Sequence, residues 1–292
     1  MMNKNHILPV CWILLLVGSL FACKETIDIK TDDAPERLII YGTYSNEYKR
    51  HSIRLTRSTG YFVTTPPEGV SGAVVTLHSG DKSLILEELA TEPGTYLMDS
   101  SRKGVEGQDY RLHVAVDFDG DGEMEEFEAA SYLPYAAQLD SISFLKSTLI
   151  NDMIEIKLYG MLPENEENYI SLHALRNNRL INDSLQGFFI LSEEYLGKKE
   201  FDGVSCFFLN QENEETLVQP GDVIELTVDM INKDYADFLG NAQSEAEGSI
   251  PFFGGPPANV ETNFKALYNP GRVAVSGFFA TYARSTATRV YE

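Results

Sequence analysis

Seven carboxylates fall within the twelve residues of DFDGDGEMEEFE, positions 117–128, with no positive charge among them. Their spacing matches the calcium-loop pattern D-x-[DN]-x-[DN]-G-x5-E, with Asp117, Asp119, Asp121, Gly122 and Glu128 all in place. In such a loop Asp117, Asp119 and Asp121 supply carboxylate ligands, the backbone carbonyl of Glu123 follows, and Glu128 closes the shell with both oxygens. Calcium is the one cofactor this reading implies, held in an extracellular-type site with a Kd of about 0.1 to 1 mM.

The flanks of this stretch do not read as helices. Tyr110, Leu112, Val114, Val116 and Phe118 alternate with polar or small residues, and beyond the acidic run the parity swaps so that Phe127, Ala129, Ser131 and Leu133 face inward. A β-hairpin with a two-residue turn at Asp121-Gly122 reproduces the swap, pairing Val116 with Phe127 and Asp117 with Glu126. It sets like charges opposite each other, at roughly 0.2 to 1 kcal/mol per pair. The two geometries compete: the hairpin leaves Glu128 in a strand beside Ala115, and the calcium loop wraps it around the ion.

Other chemistry is sparse. The chain has no G-x-S-x-G nucleophile elbow, no H-E-x-x-H zinc helix, no C-x-x-C pair and no G-x-x-x-x-G-K-[ST] phosphate loop. Beyond the leader, His51, His78, His113 and His173 stand singly on expected strands, each read as a surface residue. Acidic pairs such as Glu87-Glu88, Glu166-Glu167 and Glu193-Glu194 follow from an acidic composition. Cys206 lies in the apolar run Val204 to Leu209 and reads as a buried thiol, not a nucleophile. No catalytic residues are assigned, and the expectation is a protein that is not an enzyme.

The N-terminus sets the compartment. MMNKNH followed by ILPVCWILLLVGSLFA is a short n-region and an apolar run, the pattern of a secretory signal peptide. The run is shorter than the ~20 apolar residues of a spanning helix, and the polar stretch CKETIDIK follows at once. Leu20-Phe21-Ala22-Cys23 resembles the lipobox of bacterial lipoproteins, which makes Cys23 the lipidated first residue of the mature chain. Acyl chains at about 0.8 kcal/mol per buried CH2 then hold the protein at a membrane without a helix in it. Lys24-Glu25 resembles a surface-export signal of Bacteroidota lipoproteins, so the expected location is the outer membrane, with the cell surface as its outer option.

Losing the leader, which carries Lys4 and no acidic residue, takes the formal charge from −21 to −22. Nucleic acid and anionic lipid surfaces are poor partners for such a chain. Cys11 and Trp12 leave with the leader, so Cys206 has no mature partner for a disulfide once Cys23 is acylated.

The elements that position these residues are strands. Residues 24–35 read as a polar tether, followed by runs at Leu38 to Tyr44, Ser52 to Thr56, Val70 to His78, Ser83 to Leu89, Tyr96 to Met98 and Tyr110 to Val116. A second group covers Asp140 to Leu145, Met153 to Tyr159, Tyr169 to Leu175, Phe188 to Leu191, Val204 to Leu209 and Val223 to Met230. Strand and turn signals at such regular spacing indicate an all-β fold of antiparallel β-sandwiches, immunoglobulin/prealbumin-like in the N-terminal part. One short helix is expected from an Asn232 N-cap to Gly240, with Tyr235, Phe238 and Leu239 on one face, plugging an end of the second sandwich. Residues 240–271 read as a long loop, with Phe252 and Phe253 as candidate ligand-binding aromatics. Arg272 to Tyr282 forms the last strand. The expected organisation is a leader (1–22), a tether (23–35), an N-terminal sandwich (36–135) and a C-terminal β-rich domain (136–292).

The order LIIYGTYSNE, HSIRLTRSTGYF, VSGAVVTL, EPGTYL, GQDYRLHVAV and AASYLP, with FFGGPPANVETNF and RVAVSGFFATYARSTA near the end, resembles a Bacteroidota outer-membrane lipoprotein family of the domain-of-unknown-function 4249 type. The resemblance implies a β-protein encoded beside TonB-dependent receptors, and an accessory role in nutrient capture with such a receptor as partner. It carries over no residue beyond Cys23. A calcium-stabilised structural or adhesive surface module is the alternative.

Overall fold

Alternation builds the first strand as a pleat dictates: in β1 (Arg37–Ser45), Leu38, Ile40 and Tyr44 are buried on one face, and Tyr41 is exposed on the other. The computed structural model describes residues 35–292 apart from 61–62, 64, 165–166, 182–184, 186–188, 248–259 and 269–270. Cys23, Phe252 and Phe253 therefore lie outside the described residues.

Following β1 are β2 (Ser52–Arg57), β3 (Val74–Ser79), β4 (Lys82–Ile85), β5 (Glu87–Glu88), β6 (Thr95–Leu97), β7 (Gln108–Val116) and β8 (Glu125–Leu133). Next are β9 (Gln138–Lys146), β10 (Met153–Met161), β11 (Tyr169–Arg176), β12 (Arg179–Leu180), β13 (Phe189–Ser192), α1 (Glu193–Leu196), β14 (Glu200–Asn210) and β15 (Val223–Ile231). The chain ends with α2 (Lys233–Glu247), β16 (Lys265–Ala266) and β17 (Ala274–Val290).

The fold is all-β and sandwich-like. A large sheet runs β12-β11-β15-β17-β1-β2-β6-β5, with β13 also paired to β11. A five-stranded sheet (β16-β8-β7-β3-β4) and a three-stranded sheet (β14-β10-β9) complete it. Pairing is antiparallel except between β1 and β17, which run parallel. Leu38, Ile40, Ile53 and Leu55 of the large sheet share one apolar cluster with Val75, Leu112, Val114 and Phe127 of the five-stranded sheet. Ile142, Ile156 and Leu209 of the three-stranded sheet, and Leu172, Leu226 and Val228 of the large one, belong to the same cluster. Each such side chain contributes about 1.5 to 3 kcal/mol when fully buried.

β17 explains why the two expected halves share their main core. Its first half, Ala274 to Tyr282, pairs with β1, and its second half, Tyr282 to Val290, pairs with β15. The expected boundary at residue 136 is thus not a boundary between compact units: residues 36–292 form a single one. The strand is also longer than the expected Arg272 to Tyr282, because the polar-alternating stretch after Tyr282 finds β15 as a partner.

The helix corrects another expectation. The Asn232 cap is present, with Asn232 Oδ1 accepting the Tyr235 N–H at 2.9 Å, but α2 continues through Gly240 to Glu247. A central glycine costs about 1 kcal/mol relative to alanine; Gln243 Nε2 donating to the Leu185 carbonyl at 2.8 Å anchors the second half. Nor does α2 plug a sandwich end. Tyr235, Ala236 and Leu239 pack with Ile231, Phe278, Ala280 and Tyr282 in a second apolar cluster. The helix therefore lies on the outward face of β17, which is why residues 278–283 are buried without alternation.

Candidate functional site

The acidic stretch is the connection between β7 and β8. Register places Val116 opposite Glu125, Val114 opposite Phe127 and His113 opposite Glu128. The expected Val116–Phe127 and Asp117–Glu126 pairs are therefore shifted by two residues, and the two-residue turn at Asp121-Gly122 is an eight-residue loop, 117–124. Side-chain parity fixes register only to a multiple of two, so the inward face is right and the turn length is not. Glu128 stays in its strand, bracketed by His113 and by Lys265 of β16. It is not a ligand of this loop.

Within the loop the chain wraps on its own carboxylates. Gly120 and Gly122, at φ of 77° and 90°, let the backbone curl so that their N–H groups donate to Asp117 Oδ1 and Oδ2 at 2.8 and 3.0 Å. The Glu123 N–H donates to Asp121 Oδ1 at 2.8 Å, and the Phe118 N–H to Glu125 Oε2 at 2.9 Å. Oxygens of Asp117, Asp119 and Glu125 lie within 4.8 Å of one another. Of the five expected metal ligands, then, Asp117 and Asp119 converge; Asp121, Glu123 and Glu128 fall outside this trio, and Glu125 joins it.

A cation already faces these groups. Arg272, just before β17, lies 3.0 Å from Asp119, 3.1 Å from Glu123 and 3.5 Å from Glu125, and also bonds Asp121. Arg57 covers the other side, its guanidinium 4.3 Å from the Phe118 ring and donating to the Phe118 carbonyl at 2.8 Å. Arg57, Asp117, Phe118, Asp119 and Arg272 line a hollow of about 420 Å³.

A second candidate is a cleft of about 490 Å³ beside α2, where Phe238 and Phe278 meet Glu128, Asp234, Glu261 and Lys265. Its floor is tied down by Asn263, whose amide donates to the Phe279 carbonyl at 2.8 Å and accepts the Phe279 N–H at 3.0 Å. Aromatic faces beside carboxylates and amides suit a polar ligand with an apolar side.

His51 and His173 depart from the surface reading, whereas His78 and His113 are half-exposed on their strands. His51 is 2% exposed, its Nε2 at 3.1 Å from the Glu47 carbonyl; His113 pairs with Glu126 at 3.0 Å. His173 meets Ser171 at 3.2 Å and Asp229 at 3.4 Å, both through Nε2. Nucleophile activation needs serine and acid on opposite ring nitrogens. Asp229 instead anchors Arg284 in a two-pronged pair at 2.6 and 2.7 Å. Burial alone raises the Asp229 carboxyl, but Arg284 and His173 outweigh it and hold it below its ordinary value. Cys206 is buried as expected, its thiol donating to the Ile156 carbonyl and pushed up to about 12 by burial.

The model of the family described as Domain of unknown function (DUF4249) matches residues 24–288. No curated protein matches the chain. Among solved structures, the crystal structure of the FN1–FN3 domains of chicken CNTN1 is similar at 14% identity with a TM-score of 0.29. The match covers 68% of this chain and 63% of that one, so the chain spans less than two thirds of its length.

Proposed function

From the premise that the chain belongs to this family of domains of unknown function, we propose that it is a lipid-anchored binding protein of the outer membrane or cell surface, accessory to a TonB-dependent receptor in nutrient capture. The observation that carries the reading is that the family match begins at residue 24, directly after the lipobox-like Leu20 to Cys23. Cys23 is the acylated residue in this proposal, and residues 24–35 are the tether between anchor and sandwich. Among the described residues no helix is long and apolar enough to cross a membrane, which agrees with anchoring by acyl chains. The cleft beside α2 is the proposed ligand face.

Labelling cells with a radioactive fatty acid tests the anchor. The natural chain is expected to carry label and to fractionate with the outer membrane, and Cys23→Ser is expected to lose both. Label retained in Cys23→Ser contradicts the assignment.

A calcium-stabilised structural or adhesive module is the second reading, favoured by the convergence of Asp117, Asp119 and Glu125. Calcium-dependent thermal stability, with no large β-barrel copurifying, is what would separate it from the first.

A further inference from the structure

We propose that Asp117, Asp119 and Glu125 bind a calcium ion in the place that the Arg272 guanidinium now fills, so that ion and guanidinium exchange. The inference underlies the second reading above, yet it stands whether or not calcium stabilises the fold.

Three observations converge on it. First, the carboxylates are already spaced for an ion. Two oxygens on opposite sides of a calcium ion stand about 4.8 Å apart, twice a ligand distance of about 2.4 Å. The three carboxylates already offer oxygens within 4.8 Å of one another.

Second, the Glu125 side chain is only 9% exposed, and its Oε1 is buried without a hydrogen bond. Arg272 Nε stands 3.5 Å from that oxygen, an ion-pair distance with no hydrogen bond made. A buried carboxylate oxygen left in this state is costly unless something binds it. The Glu125 Oε2 atom, by contrast, accepts the Phe118 N–H, which fixes the carboxylate with Oε1 turned toward Arg272.

Third, the charge is unbalanced. Asp119, Asp121, Glu123 and Glu125 all lean on the one guanidinium of Arg272. Arg57, the neighbouring cation, is committed to Glu36 and to the Phe118 carbonyl. Asp117 adds a further charge, and its carboxylate is met by the N–H groups of Gly120 and Gly122. A dication centred on Asp117, Asp119 and Glu125 gathers an acid that Arg272 leaves out and binds the orphaned oxygen as well. Calcium suits the trio better than magnesium, which demands near-ideal octahedral geometry and sheds its water reluctantly. Because ion and guanidinium both claim Asp119 and Glu125, binding expels Arg272. The calcium pattern in the sequence is thus met by a different donor set, with Glu125 in place of Glu128.

Calorimetric titration of the full chain in detergent, with calcium chloride as the only probe and magnesium chloride as control, tests the exchange. Calcium is expected to bind with a Kd of about 0.1 to 1 mM, and magnesium more weakly. Glu125→Gln and Asp119→Asn are each expected to weaken calcium binding by at least about tenfold. Asp119 is half-exposed, so its variant is expected to fold normally, with near-ultraviolet circular dichroism as the check. Arg272→Gln is expected to tighten calcium binding, because a competing cation has gone. No heat at millimolar calcium in either the natural chain or Arg272→Gln overturns the site. So does binding that survives both carboxylate changes, and an affinity untouched by Arg272→Gln overturns the exchange. Binding with no change in melting temperature upholds the site and removes the calcium-stabilised module.

Discussion

Arg284 and Asp229 are the residues on which the junction of the two halves of the sandwich depends. The pair is bidentate, Asp229 is 5% exposed, and Arg284 also reaches toward Glu47 at 3.7 Å. Removing one partner strands a buried charge, so Arg284→Met is expected to cost about 3 to 5 kcal/mol in urea unfolding; a loss below about 1 kcal/mol, the level of an exposed pair, would contradict this. Acid is expected to act in two steps. Burial pushes the His51 imidazole down, so below its ordinary value of about 6.5 the unfolded chain binds a proton that the folded chain refuses, and stability falls. Asp229 is depressed by Arg284 and His173, which outweigh its burial. Its contribution is therefore present above the ordinary carboxyl value of about 3.9 and is lost as pH falls further. Urea midpoints measured from neutral to acid pH should decline in those two windows, and His51→Gln should remove the first. A midpoint that rises on acidification from neutrality would contradict the buried neutral imidazole. At this scale Asp117 and Asp119 were legible, because they stand two residues apart in sequence, whereas Glu125 joins them only through the register of the hairpin. Arg272 was not: it is 153 residues from Asp119, and nothing local in YNPGRV marks it as a counter-ion.

Among elements, the parallel contact of β1 with β17 turns on Gly277. It sits opposite Ile40 at φ of 95°, where an added Cβ would stand 2.1 Å from the Ile40 carbonyl oxygen. Gly277→Ala meets both strain and collision, and the backbone conformation alone costs about 1 to 3 kcal/mol. The expected outcome is a lowered urea midpoint and faster hydrogen exchange at the β1 amides; a variant as stable as the natural chain would show that this register is not fixed here. Most strands were readable from alternation, as in Leu38 to Tyr44 and Tyr110 to Val116. The hairpin register was not, because a slip of two leaves every side chain on its own face. The helix start was legible in Asn232, whose cap is local. Its end was not, because tertiary anchoring of Gln243 by Leu185 overrides the glycine signal at 240.

For the whole molecule, β17 makes both sandwiches halves of one core, and local turn signals near residue 136 cannot reveal a strand shared across about 240 residues. Thermal unfolding followed by tyrosine fluorescence and by far-ultraviolet circular dichroism should give coincident transitions. Residues 36–135 expressed alone should not fold, since β1 loses β17 and β8 loses β16. Two separated transitions, or a stably folded fragment, would contradict the single core. The functional proposal is tested most directly by isolating the native chain from outer membranes in mild detergent and identifying what accompanies it. Copurification of a TonB-dependent β-barrel receptor in stoichiometric amount is the expected result. A chain that is recovered alone from the soluble fraction, with its first 22 residues intact, would contradict both the anchor and the partnership.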